Sequence, residues 1–192
     1  LTAESIGGCF TSPSREASCN YGIGKDGRVV LCVDEANRSW CSSSKANDQR
    51  AITIECASDT TAPYAMTDAV YKKLIALCVD ICKRSGKKKL LWFGDKTKTL
   101  NYSPKSDEMV LTVHRWFANK SCPGDWLYSR LGDVANQVTA QLGGSSSGSS
   151  STSTGEMYRV RKTWADSKTQ KGAFTNLSNA KKCADQNAGY SV

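Results

Sequence analysis

The sequence predicts an α/β fold, on three observations. Short β-rich runs alternate with segments of helical spacing along residues 1–142. The strongest helix, Thr67 to Arg84, carries Val70, Leu74, Leu77, Cys78, Ile81 and Cys82 at the helical period. The clearest hairpin, Asn20 to Val33, turns through Asp26-Gly27, a pair that tolerates the positive φ a tight turn requires.

The elements follow in order. Thr2 is an N-cap candidate for a short opening helix with Glu4 in its first turn, and Gly7-Gly8 weakens it. Asn20–Ile23 and Val29–Val33 are the arms of the hairpin, and Ala51–Cys56 is a further strand. The Thr67–Arg84 helix stops at Gly86. Leu90–Phe93 and Met109–Val113 read as strands or strand ends. Trp126–Leu142 reads as one closing helix, with Leu127, Leu131, Val134 and Val138 on one face. Residues 143–155 contain only Gly, Ser and Thr, the composition of a flexible tether reaching ~20 Å. They separate a domain at 1–142 from a small module at 156–192. That module has a β-α-β outline: Tyr158–Lys162 extended, Leu177–Ala184 helical, and a last run beginning at Gly189.

Composition narrows the partners. The net charge is +8, shared as +4 on residues 1–142 and +4 on the much shorter tail. Such a balance selects an acidic partner, and nucleic acid, an anionic membrane and an anionic wall polymer all qualify. A hydrophobic fraction of 39% with five Trp suffices for a core, so wholesale disorder is excluded. No run approaches the ~20 apolar residues of a membrane span. The nine Cys are odd in number and most are well separated, and they read mostly as small apolar residues of a protein made in a reducing cytosol. No signal peptide is visible in a chain that begins at Leu1.

His114, the single histidine, follows a β-rich run, and Cys122 lies eight residues on in Lys-Ser-Cys-Pro-Gly, where Pro and Gly impose a turn. A lone His at a strand end is commonly structural; imidazole and thiolate together are good zinc ligands. Two ligands do not complete a site, and the spacing matches no zinc-finger pattern.

HRWFANKSCPG, residues 114–124, resembles the C-terminal metal motif of the type 2 zinc-dependent N-acetylmuramoyl-L-alanine amidases. That family shares its fold with peptidoglycan recognition proteins and includes phage lysins and bacterial autolysins. Three further stretches resemble it in the same order: SCNYGIGKDGR at 18–28, NRSW at 37–40 and NDQRAITIECA at 47–57. The resemblance covers roughly residues 1–142. It implies a central mixed β-sheet flanked by helices, and hydrolysis of the amide between N-acetylmuramic acid and L-alanine. It implies Zn2+ as cofactor, with His114 and Cys122 as two of three ligands. Glu55 falls at the catalytic carboxylate, and Lys120 at a lysine that stabilises the transition state in some members. Such groups suit the reaction: a metal acidifies water, a carboxylate takes its proton and a cation steadies the oxyanion. The alternatives are an exposed salt-bridged strand residue for Glu55 and a solvated loop lysine for Lys120. Trp40, Cys41, Arg115 and Trp116 adjoin these motifs as substrate-binding candidates.

Three departures matter. The family's first zinc ligand is a His ending an opening strand; this chain starts after that strand and has no second His. Cys19 stands where some members carry a catalytic Tyr, and Trp40-Cys41 where many have Trp-His. These departures predict an unpaired position in the core sheet, poor zinc binding and little hydrolysis by residues 1–192, unless Cys19 or Cys41 supplies the third ligand. The tail resembles sporulation-type wall-binding repeats, truncated at its last strand. The partners implied are peptidoglycan and anionic wall polymers, with no membrane span and no nucleic acid. The protein is expected to be made in the cytoplasm and to reach the wall by secretion or at lysis. A non-catalytic peptidoglycan-recognition module is the main alternative, and a basic nucleic-acid-binding protein a weaker one.

Overall fold

The Asp26-Gly27 turn forms, and the first sheet grows from it. In the computed structural model, which describes residues 1–143, 158–163, 167–174 and 177–192, Tyr21–Ile23 (β1) pairs antiparallel with Val29–Leu31 (β2). Gly27 sits at φ +83°, and a Cβ there would lie 3.1 Å from the Ala69 carbonyl oxygen, so the turn needs glycine twice over. Asn20, fully buried, fixes what comes next. Its Oδ1 accepts the Thr53 N–H at 2.9 Å, while its amide donates to the Val33 and Asp34 carbonyls, both at 3.2 Å. The first bond sets Ile54–Cys56 (β3) parallel to β1. The others draw the chain beyond Leu31 inward, so β2 is shorter than the Val29–Val33 run suggests.

Ala3–Gly8 (α1) begins where Thr2 Oγ1 accepts the Ser5 N–H, and it packs on the hairpin. Lys45–Asp48 (α2) is one turn capped by Ser44. Asp68–Arg84 (α3) is the structural spine. Thr67 caps it and also donates to the Lys25 carbonyl at 2.7 Å, tying the helix start to the hairpin turn. Its buried face includes Val70, Leu74, Cys78, Val79 and Cys82, and the core forms around it. All nine cysteines are free, and Cys19, Cys78 and Cys82 are buried as apolar packing.

At the end of α3, Arg84 grips Glu35 through Nη1–Oε2 at 2.7 Å and Nη2–Oε1 at 2.8 Å, and the Tyr21 hydroxyl donates to the same carboxylate at 2.6 Å. The Arg84 hydrogen bonds, helped by Tyr21, pull Glu35 from the usual 4.5 down to about 2. A depressed carboxylate stabilises the fold above the unfolded value and loses that contribution as pH falls toward 2. With Arg84 partly exposed, the contribution is about 1 kcal/mol. Glu35→Gln is therefore expected to flatten the decline of stability between pH 5 and 2 in urea titrations; an unchanged decline would remove the pair from the account.

Lys89–Leu91 (β4) and Glu108–Val110 (β5) form a second, parallel pair, shorter than the two predicted runs. Between them lies Lys96–Asn101 (α4), capped by Asp95 and absent from the sequence expectation. The predicted single helix over Trp126–Leu142 is corrected to two, Asp125–Tyr128 (α5) and Leu131–Gln141 (α6). The reason is local. The Trp126 carbonyl, which a continuous helix offers to the Arg130 N–H, is taken by Arg130 Nη1 at 2.8 Å and Ser129 Oγ at 3.0 Å. The Arg130 N–H turns instead to Leu127 O at 2.8 Å. The predicted apolar face survives the break: Leu127, Leu131, Val134 and Val138 are all buried. Thr139 of α6 clamps β4, accepting from Leu90 N at 3.0 Å and donating to Leu90 O at 3.1 Å.

The result is an α/β architecture with a mixed sheet flanked by helices. The strand order is β2-β1-β3 in one sheet and β4-β5 in the other, with no ladder between β3 and β5. A cavity of about 1160 Å³ lies there, lined by Ile54, Met109 and Val110 from the two strands and Ile81 and Cys82 from α3. β3 and β5 each keep one edge without a strand partner among the described residues.

The chain divides into compact units at Leu1–Ser146 and Ser147–Val192. Apart from Gly143, the Gly/Ser/Thr run assigned to 143–155 lies outside the described residues. In the second unit, Tyr158–Val160 (β6) pairs antiparallel with Gly172–Phe174 (β7), followed by Leu177–Asp185 (α7). β7 is a strand the β-α-β outline lacks. The final extended run contributes a single bridge, Arg161 to Ser191. No helix among the described residues is long and apolar enough to cross a membrane.

Candidate active site

β3, the end of β5 and the loop before α2 converge on one cavity of about 360 Å³. Its walls include Cys41, Glu55, His114 and Cys122, with an apolar floor from Leu74, Cys78, Leu127 and Val134. His114 opens a short 3-10 turn, His114–Trp116, directly after the extended Val113. The Arg115 N–H donates to Cys122 O at 3.1 Å, folding the Cys122 loop back toward His114. Gly124 closes that loop at φ +80°, where a Cβ would lie 2.7 Å from Tyr64 Cβ. Only glycine permits this approach.

Arg115 braces the loop rather than the cavity. Its Nη1 reaches Asp125 Oδ1 at 2.9 Å, its Nη2 donates to Ser121 O at 2.6 Å, and its guanidinium lies 4.7 Å from the Tyr128 ring. Trp116 is only 7% exposed and stacks on Trp92 at 5.0 Å, as part of the core. Trp40 is 53% exposed and forms no part of the cavity wall, with Arg38 5.1 Å from its ring. Lys120 is exposed and likewise outside the wall; its charge still reaches His114 and Cys122. Of the eight candidates from the sequence, four share the cavity and four lie outside its wall.

The electrostatics are those of an apolar recess. Burial raises Glu55 above the ordinary carboxylate range, opposed by the Cys41 thiol, which donates to Glu55 Oε1 at 3.7 Å. Burial and then the Glu55 charge push Cys41 up to about 12, so it stays a donor at neutral pH. Burial, then Lys120, lowers His114 and favours its neutral imidazole, against a smaller opposing pull from Asp48. Cys122 is raised by burial and Glu55, against Lys120 and Arg115.

Three residues that sequence reasoning did not single out shape the site. Asp48, buried, accepts the N–H groups of Cys41 and Ser42 at 3.2 and 3.1 Å. Asn47 donates to Ser42 Oγ and accepts from Thr112 Oγ1 at 3.0 Å, two residues before His114. Ser43, held at φ +63°, brings its hydroxyl 3.0 Å from His114 Nε2. A non-glycine residue in that region is strained, and such strain gathers at functional loops. The signal was available in Ser42-Ser43-Ser44 ahead of Asn47-Asp48, a helix cap beside a conspicuously polar turn.

The donor set for a metal is partial. His114 and Cys122 supply an imidazole and a thiol, but no group of three His, Cys, Asp or Glu among the described residues is placed to hold a metal ion. Cys19 is fully buried, and Cys41 donates to Glu55 Oε1 on the same cavity wall. Catalytic zinc takes three protein ligands plus water, so these residues alone do not fit it.

A recessed carboxylate, an imidazole and a thiol on one cavity of an α/β domain are the parts of a hydrolytic site. The family model for N-acetylmuramoyl-L-alanine amidase matches residues 2–125, and the chain belongs to that family of peptidoglycan-directed amidases. No match was found among the curated proteins or the solved structures compared.

Proposed function

We propose that this protein hydrolyses the amide joining the lactyl group of N-acetylmuramic acid to L-alanine in bacterial peptidoglycan. The observation that carries the reading is the meeting of Glu55, His114 and Cys122 on one cavity within the family-matched residues. Glu55 is the general base in this reading. Its raised proton affinity moves it toward the working pH, where a base both stays ionised and takes a proton readily. The Cys41 thiol orients the carboxylate, and the apolar floor keeps bulk water from it. Lys120, at the rim, lends positive charge to the developing oxyanion.

Zinc belongs to the proposal as a metal held by His114, Cys122 and one donor from outside the described residues. The acid-base steps above rest on the chain's own groups. The tail contributes wall affinity through charge and linkage rather than chemistry. Site of action follows: the bacterial wall, reached by secretion or at lysis.

The assay is release of L-alanine amino groups from purified walls by the protein supplied with that third donor, as an added upstream strand ending in His. Amino groups appearing on L-alanine are expected; cleavage between stem-peptide residues or between sugars would overturn the bond assignment. The two-ligand count favours one rival, a non-catalytic peptidoglycan-recognition module, which would co-sediment with walls and release nothing in either form.

A further inference from the structure

We propose that Lys162, Lys171 and Tyr190 form a binding site for a linear wall polymer that carries phosphate groups. The proposal rests on the reading that the protein works at the wall, and it names a partner beyond the peptidoglycan bond itself. Three backbone segments build the site. The Lys171 N–H donates to Val160 O at 2.9 Å, so Lys171 enters β7 across the hairpin from the end of β6, where Lys162 lies. Arg161 and Ser191 exchange N–H···O bonds of 3.0 and 2.9 Å, which lays the last run of chain beside the same strand end and seats Tyr190 there. The Lys162 and Lys171 ammonium groups then stand 5.7 and 5.5 Å from the centroid of that one ring.

Two cations on one ring repel each other, and each is near the ~6 Å limit of useful cation–π attraction. Neither lysine has an ion-pair partner among the described residues. The unit as a whole is basic: residues 156–192 hold seven Lys or Arg against three acids, Glu156, Asp166 and Asp185. Two ammonium groups beside one ring concentrate positive charge there, and ammonium is a compact point charge suited to phosphate oxygens. A single exposed contact is weak. A polymer presents its next phosphate as the first leaves and releases counterions on binding, so weak contacts add up. The Tyr190 ring offers an apolar face for the polymer's carbon backbone.

The test is co-sedimentation of the full chain, carrying Glu55→Gln so that walls are not consumed, with purified walls that bear such a polymer and with the same walls stripped of it by hydrofluoric acid. Stripping is expected to weaken binding about tenfold. Lys162→Gln with Lys171→Gln is expected to lose about tenfold on intact walls and to ignore stripping. Lys162→Arg with Lys171→Arg should retain binding, which shows that the fold tolerates change there. Lys181→Gln with Lys182→Gln removes the same charge from α7 and is expected to lose less than threefold. Equal binding to intact and stripped walls, unaltered binding of the first double variant, or an equal loss in the α7 variant would each overturn the site. Tighter binding to a DNA duplex, lost in the first variant, would reassign it to nucleic acid. Amino-group release tests the amidase reading separately, so failure of either leaves the other standing.

Discussion

Glu55→Gln is expected to slow peptidoglycan hydrolysis by ~10²–10⁴-fold, the usual loss with a general base, while zinc content stays unchanged. The measurement needs a chain whose metal site has its third donor, so that chemistry rather than metal supply limits turnover. Gln keeps the size of Glu and an oxygen for the Cys41 thiol, so the wall of the cavity should hold its shape. What it loses is the capacity to take a proton. Among the described residues Glu55 is the one carboxylate on that cavity's wall, so no described neighbour there can stand in. Turnover near the original value, with zinc retained, would return the role to Lys120 or to a group elsewhere.

Cys122→Ser and His114→Ala are expected to act through the metal instead. Each should weaken zinc binding by at least ~100-fold, beyond the 10–100-fold typical of outer-shell changes, and reduce hydrolysis to background. Both variants should fold: Cys122 is exposed, and the side-chain hydrogen bond of His114 among the described residues is to Ser43. Equilibrium dialysis with zinc and thermal unfolding, run in parallel, separate metal loss from collapse. Wild-type zinc affinity in either variant would detach that residue from the metal proposal.

Much of the fold was legible because single residues dictate it. Thr67, Gly86 and the apolar period between them bound α3 nearly to the residue, and Asp26-Gly27 fixed the hairpin. Where tertiary hydrogen bonds decide, the sequence was silent. Nothing in Trp126–Leu142 announces that Arg130 turns its own side chain onto the Trp126 carbonyl and breaks the helix. Nothing in Asn20 announces that it bonds Thr53, thirty-three residues on, and sets the parallel strand. The site divides the same way. Motif order brought Cys41, Glu55, His114 and Cys122 to notice, and these four share a cavity. Trp116 and Arg115 stand beside His114 in sequence, yet one packs into the core and the other braces a loop, because a 3-10 turn sends successive side chains in different directions. Ser43 and Asp48 escaped notice because a polar turn and cap do not announce which ring or N–H groups their side chains will meet.

We propose that the cavity at Glu55, His114 and Cys122 is an amidase active site, and that a metal there needs one donor more than the described residues supply. The most direct measurement compares two proteins, the 192-residue chain and the same chain preceded by a strand ending in His, for zinc stoichiometry and for L-alanine amino groups released from walls. Well under one zinc and little release are expected from the first, and close to one zinc with sustained release from the second. Full occupancy and brisk release from the 192-residue chain alone, or no gain in either quantity on adding the strand, would contradict it.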